Sequence, residues 1–304
     1  VKTRAAIVIL AALGLSIAVL LYLQGRQVQP EPSAPALSSP ADSGPPAPAA
    51  PTAPPGQRAI TFTDSEQNPI SAQEAFGRIL AAAEAGEATA MLNVAEFYGN
   101  GWGVRQNFTE RFRWYQRAGE AGDPRGFFRA ALALEAGLGV TADLGAARAA
   151  LEKAAEAGLA EAHLKLGQDF LAGPEADAAR AASHLEAALA GGQPLAANIL
   201  GLLYLQGAGD LEADSVKARA ALERGANLGD AEALKNLAVM HRQGWGGPQN
   251  PAEALKFYLA AQMAGWPGDG DIINALKAEL GPQAAQEAET GARAWLESRK
   301  PLSR

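Results

Sequence analysis

The stretch A-M-L-N-V-A-E-F-Y-G-N-G-W-G-V, Ala90 to Val104, decides the fold because the chain repeats its pattern. The counterparts are R-A-A-L-A-L-E-A-G-L-G-V, Arg129 to Val140, and I-L-G-L-L-Y-L-Q-G-A-G, Ile199 to Gly209. Gly86, Gly122, Gly158, Gly192, Gly229 and Gly265 mark the unit boundaries at steps of 36, 36, 34, 37 and 36 residues. Nine residues past each boundary stands a small residue: Ala95, Ala131, Gly167, Gly201 and Ala238. Three further on stands a large one: Tyr98, Leu134, Phe170, Tyr204 and His241.

Each unit reads as a helical hairpin. The small residue of the first helix sits where a neighbouring helix crosses closely, and the large one fills the gap beside it. A glycine then stops the helix (Gly101, Gly137, Gly173, Gly207, Gly244), and all units but the third add a second glycine two residues later. Asn107, Asp143, Asp177, Asp214 and Asn250 follow as N-caps of the second helix. Asn250-Pro251-Ala252-Glu253 combines cap, proline at the first helical position and glutamate at the third. A hairpin of this kind has an apolar face on either side, so it is stable only when stacked.

These strings, with the pairs Trp114-Tyr115 and Phe257-Tyr258, resemble the Sel-1-like repeat family, relatives of the tetratricopeptide repeats. The resemblance covers about 71–265 and implies an all-α, α/α solenoid of about five hairpins. The third unit departs most, losing residues and its second glycine. Ser71-Ala72-Gln73-Glu74 opens a half-unit that reads as an amino-terminal cap, with a capping box. Residues 266–304 read as carboxy-terminal capping helices, with Leu280 to Leu296 similar to the closing helix of such arrays.

The remaining segments set the expected location. Residues 1–4 carry Lys2 and Arg4, and 5–23 hold no charge. A helix of that length spans roughly 28 Å, close to the bilayer hydrocarbon. Positive residues before it predict a cytoplasmic amino end. The expectation is a single-pass anchor in a bacterial inner membrane with a periplasmic carboxyl domain; the Ala/Gly/Arg/Pro-rich usage suits a GC-rich bacterial gene. The competing reading is a cleaved signal peptide, which normally has a shorter apolar core. Residues 24–70 read as a Pro/Ala-rich disordered linker, since ten prolines between Pro30 and Gly56 prevent core formation.

Composition narrows function. The chain is 48% hydrophobic but only 6% aromatic, so much of its apolar content is alanine, which suits tight helix packing. Its net charge is −7 without a basic block, which argues against nucleic acid as a partner. The absence of cysteine excludes thiolate catalysis and Cys-based zinc sites. His163, His184 and His241 include no i, i+4 pair. Gly99-x-Gly101-x-Gly103 lacks the strand and Lys-Ser/Thr of a phosphate loop, and no Gly-x-Ser-x-Gly elbow occurs. No cofactor or metal site is expected, and the chain is expected not to be an enzyme.

The expected role is a protein-binding scaffold. Resemblance implies an adaptor in signalling or assembly, some bacterial relatives regulating envelope sensor kinases; the alternative it implies is a cell-wall-related hydrolase, as discussed for cysteine-rich relatives. The slot seven residues past each boundary supplies Asn93, Arg129, Lys165, Ile199 and Asn236. Its polar members are candidate partner contacts on a concave face, against the alternative of an ordinary solvated face. Trp102 and Trp245, between the paired glycines of equivalent turns, read either as partner anchors or as packing over the next hairpin.

Overall fold

The computed structural model describes residues 61–172 and 176–299. The expected anchor at 5–23, the proline run at 30–56 and Gly173 lie outside the described residues. Among the described residues no helix is long and apolar enough to cross a membrane.

Twelve helices follow a short β-hairpin. The hairpin pairs β1 (Phe62–Thr63) with β2 (Pro69–Ile70) in antiparallel register, Phe62 opposite Ile70. α1 (Ala72–Glu84) is the amino-terminal half-unit, and Ser71 Oγ accepts from the Glu74 amide as its sequence predicts. Five hairpins follow: α2 (Ala88–Asn100) with α3 (Phe108–Glu120), α4 (Pro124–Ala136) with α5 (Leu144–Glu156), and α6 (Ala160–Asp169) with α7 (Ala178–Ala190). The fourth pairs α8 (Pro194–Gln206) with α9 (Ser215–Asn227), and the fifth α10 (Ala231–Gln243) with α11 (Pro251–Met263). α12 (Gly270–Glu297) closes the array; it is two helices joined at a kink, where Gly281 has φ 79° and Pro282 follows.

One part of the expected linker is corrected. Residues 62–70 are not linker but part of the amino-terminal cap, because Phe62 inserts into an aromatic cluster, 5.1 Å from Phe97 and 5.9 Å from Trp102 between ring centroids.

The five predicted caps all bond to their own helices. Asn107, Asp143, Asp177, Asp214 and Asn250 each accept from amides of the first turn. Each cap residue also donates its own N–H to the carbonyl of the large residue in the same unit: Asn107 to Tyr98, Asp143 to Leu134, Asp177 to Phe170, Asp214 to Tyr204 and Asn250 to His241, at 2.6–3.0 Å. The two conspicuous slots are thus the two ends of one bond that fixes the turn. It survives in the third unit, where α6 is shortened to 10 residues.

The second glycine of the turn has a different reason. Gly103 has φ 62°, and a Cβ there would overlap the backbone of Ala72 and Gln73 at the start of α1. The turn of one unit therefore rests on the second helix of the unit before it. Gly139 sits in the same way on Phe108, and Gly246 on Ser215.

The small slots are fully buried at Ala95, Ala131 and Ala238; at Gly167 and Gly201 a Cβ would press on Leu185 and Leu222. The core falls into two clusters along the stack. One buried cluster runs from Ala83 to Ala130, another from Ala131 to Ala292, and they meet on α4.

Candidate functional site

The row of slots seven past each boundary grades from open to closed. Asn93 and Arg129 are exposed, and Lys165 is half-buried. Ile199 is half-buried against the core, while Asn236 keeps only 2% of its surface. The cause is the spacing of first helices. α8 and α10 pack directly on each other, which no other non-consecutive pair of solenoid helices does to a comparable extent among the described residues.

Asn236 is therefore placed inside, not on a wall open to a partner. Its Nδ2 donates to Asn198 Oδ1 at 3.0 Å, and Asn198 Nδ2 donates to Asp230 Oδ1 at 2.9 Å. Asp230 in turn caps α10 through the Ala233 amide. The Asn236 Oδ1 atom is buried without a partner. Lys165 is committed as well. Burial works against its charge, but its bonds to Asp169 and Glu135, 2.7 Å each, prevail and hold its pKa above the ordinary lysine value. The Glu135 bond ties α6 to α4, so Lys165 braces adjacent units.

The tryptophans are half-buried, and the contacts they show run within their own unit and back toward the preceding one. Trp102 lies edge-on to Phe97 at 5.6 Å and to Phe62 at 5.9 Å. Trp245 packs against the main core and lines a cleft with Leu205, Ala213 and Ser215.

The histidines come together as the sequence spacing did not suggest. His163 and His184, on α6 and α7, bring their Nδ1 atoms within 3.0 Å, with Phe170 stacked on His184. Burial, then the neighbouring His163, lowers the His184 pKa. His241 stacks on Phe257 and receives the Arg219 guanidinium at 3.0 Å. Burial, with that cation beside it, pushes its pKa down to about 4. No group of three or more potential metal ligands forms among the described residues.

A further group was missed by the sequence reading. Beside Arg129, the α3 residues Arg111 and Tyr115 meet Glu96 of α2. Arg111 Nε donates to Tyr115 Oη at 2.9 Å, Tyr115 Oη donates to Glu96 Oε1 at 2.5 Å, and Arg111 Nη2 lies 3.4 Å from Glu96 Oε2. Burial, then the bond to Glu96, pushes the Tyr115 pKa up to about 12, so the phenol stays a donor. A signal was available: four residues past the cap, the other units carry alanine.

Comparison with known proteins agrees with this geometry. The Sel1 repeat family matches residues 88–123, 128–159, 194–230 and 231–265. The gap falls on the third unit, whose helices are nevertheless in place. A Sel1 repeat protein from Oxalobacter formigenes is 26% identical, over 74% of this chain and 92% of that one, with a TM-score of 0.60. A protective antigen from uropathogenic Escherichia coli matches at 19% identity over 75% of this chain and 64% of that one, TM-score 0.41. An immunity protein from Pseudomonas aeruginosa matches at 19% identity over 76% and 80%, TM-score 0.37. No functionally curated protein matches. With four repeats in register and a solved Sel1 structure superposing on most of its length, the chain belongs to the Sel1-repeat proteins, all-α solenoids that generally act as protein-interaction scaffolds.

Proposed function

We propose that this chain is a non-catalytic scaffold that binds a partner protein through the open, amino-terminal end of its first-helix row, and that it does so on the periplasmic side of a bacterial inner membrane. The observation that carries the binding reading is the gradient along that row. Asn93 and Arg129 are exposed on consecutive first helices, while further on the same slot is bonded at Lys165 and Asn236 and packed against the core at Ile199. An exposed amide can bond a partner's backbone in either sense, and an exposed guanidinium selects negative charge. The membrane location rests on the uncharged run at 5–23 preceded by Lys2 and Arg4. A role in envelope signalling or assembly follows from that location.

Photo-cross-linking tests the reading. A photoreactive residue at position 93 is expected to give one discrete adduct in envelope preparations, and the same residue at 283, on α12, none. Absence of any adduct from 93 would refute binding at this end. A periplasm-active reporter fused after Gly56 should be active; activity of a cytoplasmic reporter there would reverse the orientation. Purified chain is expected to leave peptidoglycan and β-lactam substrates unchanged, and turnover abolished by one point substitution would replace the scaffold with an enzyme.

A further inference from the structure

Four of the five units bury an alanine four residues past the second-helix cap: Ala147, Ala181, Ala218 and Ala254, each no more than 1% exposed. The first unit puts Arg111 there. Room is made from the facing helix, where Gly99 stands at a slot held elsewhere by Glu135, Leu171, Leu205 and Arg242. A Cβ on Gly99 would lie 2.8 Å from Arg111 Cδ and Nε. The two departures are complementary: the glycine exists where the arginine needs it. Stacking does not require this exchange, since four units stack with alanine, so it calls for another reason.

The guanidinium is held by Tyr115 and Glu96, as described, and 27% of the side chain stays accessible. It opens onto a pocket of about 120 Å³ shared with Arg129, Phe112, Leu132 and the turn residue Leu138, which is 47% exposed. The charged lining is cationic only, on a chain of net charge −7. Glu96 stands behind Arg111 and is itself engaged by the Tyr115 hydroxyl. Volume decides the occupant's size: small-molecule sites take roughly 300–1,000 Å³, and this pocket suits one side chain.

We propose that this pocket receives a single acidic side chain, flanked by apolar residues, from an extended segment of the partner protein. Arg111, pre-set by its two internal bonds, and Arg129 clamp the carboxylate. Phe112, Leu132 and Leu138 cover the apolar neighbours, so the contact combines a desolvated centre with charge complementarity. The inference rests on the scaffold reading and names the chemistry its partner must have.

The test uses immobilised synthetic peptides in matched pairs, apolar-Glu-apolar against apolar-Gln-apolar in otherwise identical sequence, probed with the purified chain. The Glu member is expected to bind at least about tenfold tighter, an advantage that shrinks with added salt. Arg129→Glu should abolish the preference. Arg111→Ala should too, and it installs the residue of the other four units, so its thermal midpoint should confirm a folded domain. Equal binding of the two members, binding of neither, or a preference that survives both substitutions would overturn the pocket. If the cross-link from position 93 forms while the Glu preference is absent, the scaffold stands without this pocket; if both fail, both fall.

Discussion

The first and fifth units share their slots and differ in what surrounds them. Asn93 and Asn236 occupy the same place in the repeat, yet one is exposed and the other keeps 2% of its surface. Tyr115 and Tyr258 are both buried phenols bonded by an arginine. In the first unit that arginine is Arg111 on the tyrosine's own helix; in the fifth it is Arg242, from the facing helix. A repeat slot fixes where the backbone is, and the neighbouring unit fixes what the side chain meets. α2 follows only a half-unit, whereas α10 lies directly on α8. The amino-terminal end is therefore left with free side chains, and the carboxy-terminal end turns the same positions into core.

The largest effect should come from the feature the two units share. Gly103→Ala and Gly246→Ala each drive a methyl into the backbone of the preceding unit. Overpacking plus a positive φ should destabilise each by about 3–4 kcal/mol. Gly209, in the fourth unit, also has a positive φ but faces open space, because its turn is one residue longer and bridges Ala208 to Leu211. Gly209→Ala should lose only about 1 kcal/mol. Urea denaturation of the three variants separates crowding from backbone strain; equal losses would show that strain alone explains all three.

Next comes the slot where the two units diverge. Asn236→Ala removes a buried amide and leaves Asn198 Oδ1 without its donor, which should cost about 2 kcal/mol. Asn93→Ala touches nothing buried and should stay within about 0.5 kcal/mol. Comparable denaturation midpoints for the two variants would remove the graded-exposure argument on which the partner-binding end rests.

How much of this was legible before the structure depends on whether the cause is local. Caps and turn glycines act within a few residues, so Asn107 and its four counterparts could be placed from sequence. The burial of Asn236 could not, because it depends on how closely α10 approaches α8, and the slot itself says nothing of that. The His163–His184 contact joins two helices at a separation of 21 residues, outside any single-helix spacing. Phe62 lies just past the proline run that ends at Gly56, and its packing with Phe97 is a contact between segments that no local pattern marks. Arg111 is a different kind of miss. Its departure from alanine is visible once the units are aligned on their caps, a register that the boundary glycines do not share because the turns differ in length.

A smaller effect than the one at Asn236 tests the large slot, where the first unit has Tyr98 and the fifth His241. His241 faces Arg219 from α9, with Glu253 and Lys256 nearby on α11, and its folded pKa of about 4 lies below the ordinary value of 6.5. A histidine held neutral in the fold binds fewer protons than in the unfolded chain between those two values. Stability contributed by the neutral ring is therefore complete above pH 6.5 and is lost as pH falls toward 4. By pH 5.5, before most carboxylates titrate, the loss from this group should be about 1 kcal/mol. His241→Tyr installs the residue of the first and fourth units and removes the titration, while His184 remains in both proteins and cancels. The comparison is the change in urea-unfolding free energy between pH 7.5 and 5.5 for each. The parent chain should lose about 1 kcal/mol more than the variant. Identical losses would mean that His241 is protonated in the fold as readily as in the unfolded chain, and that the cation of Arg219 gives way to it.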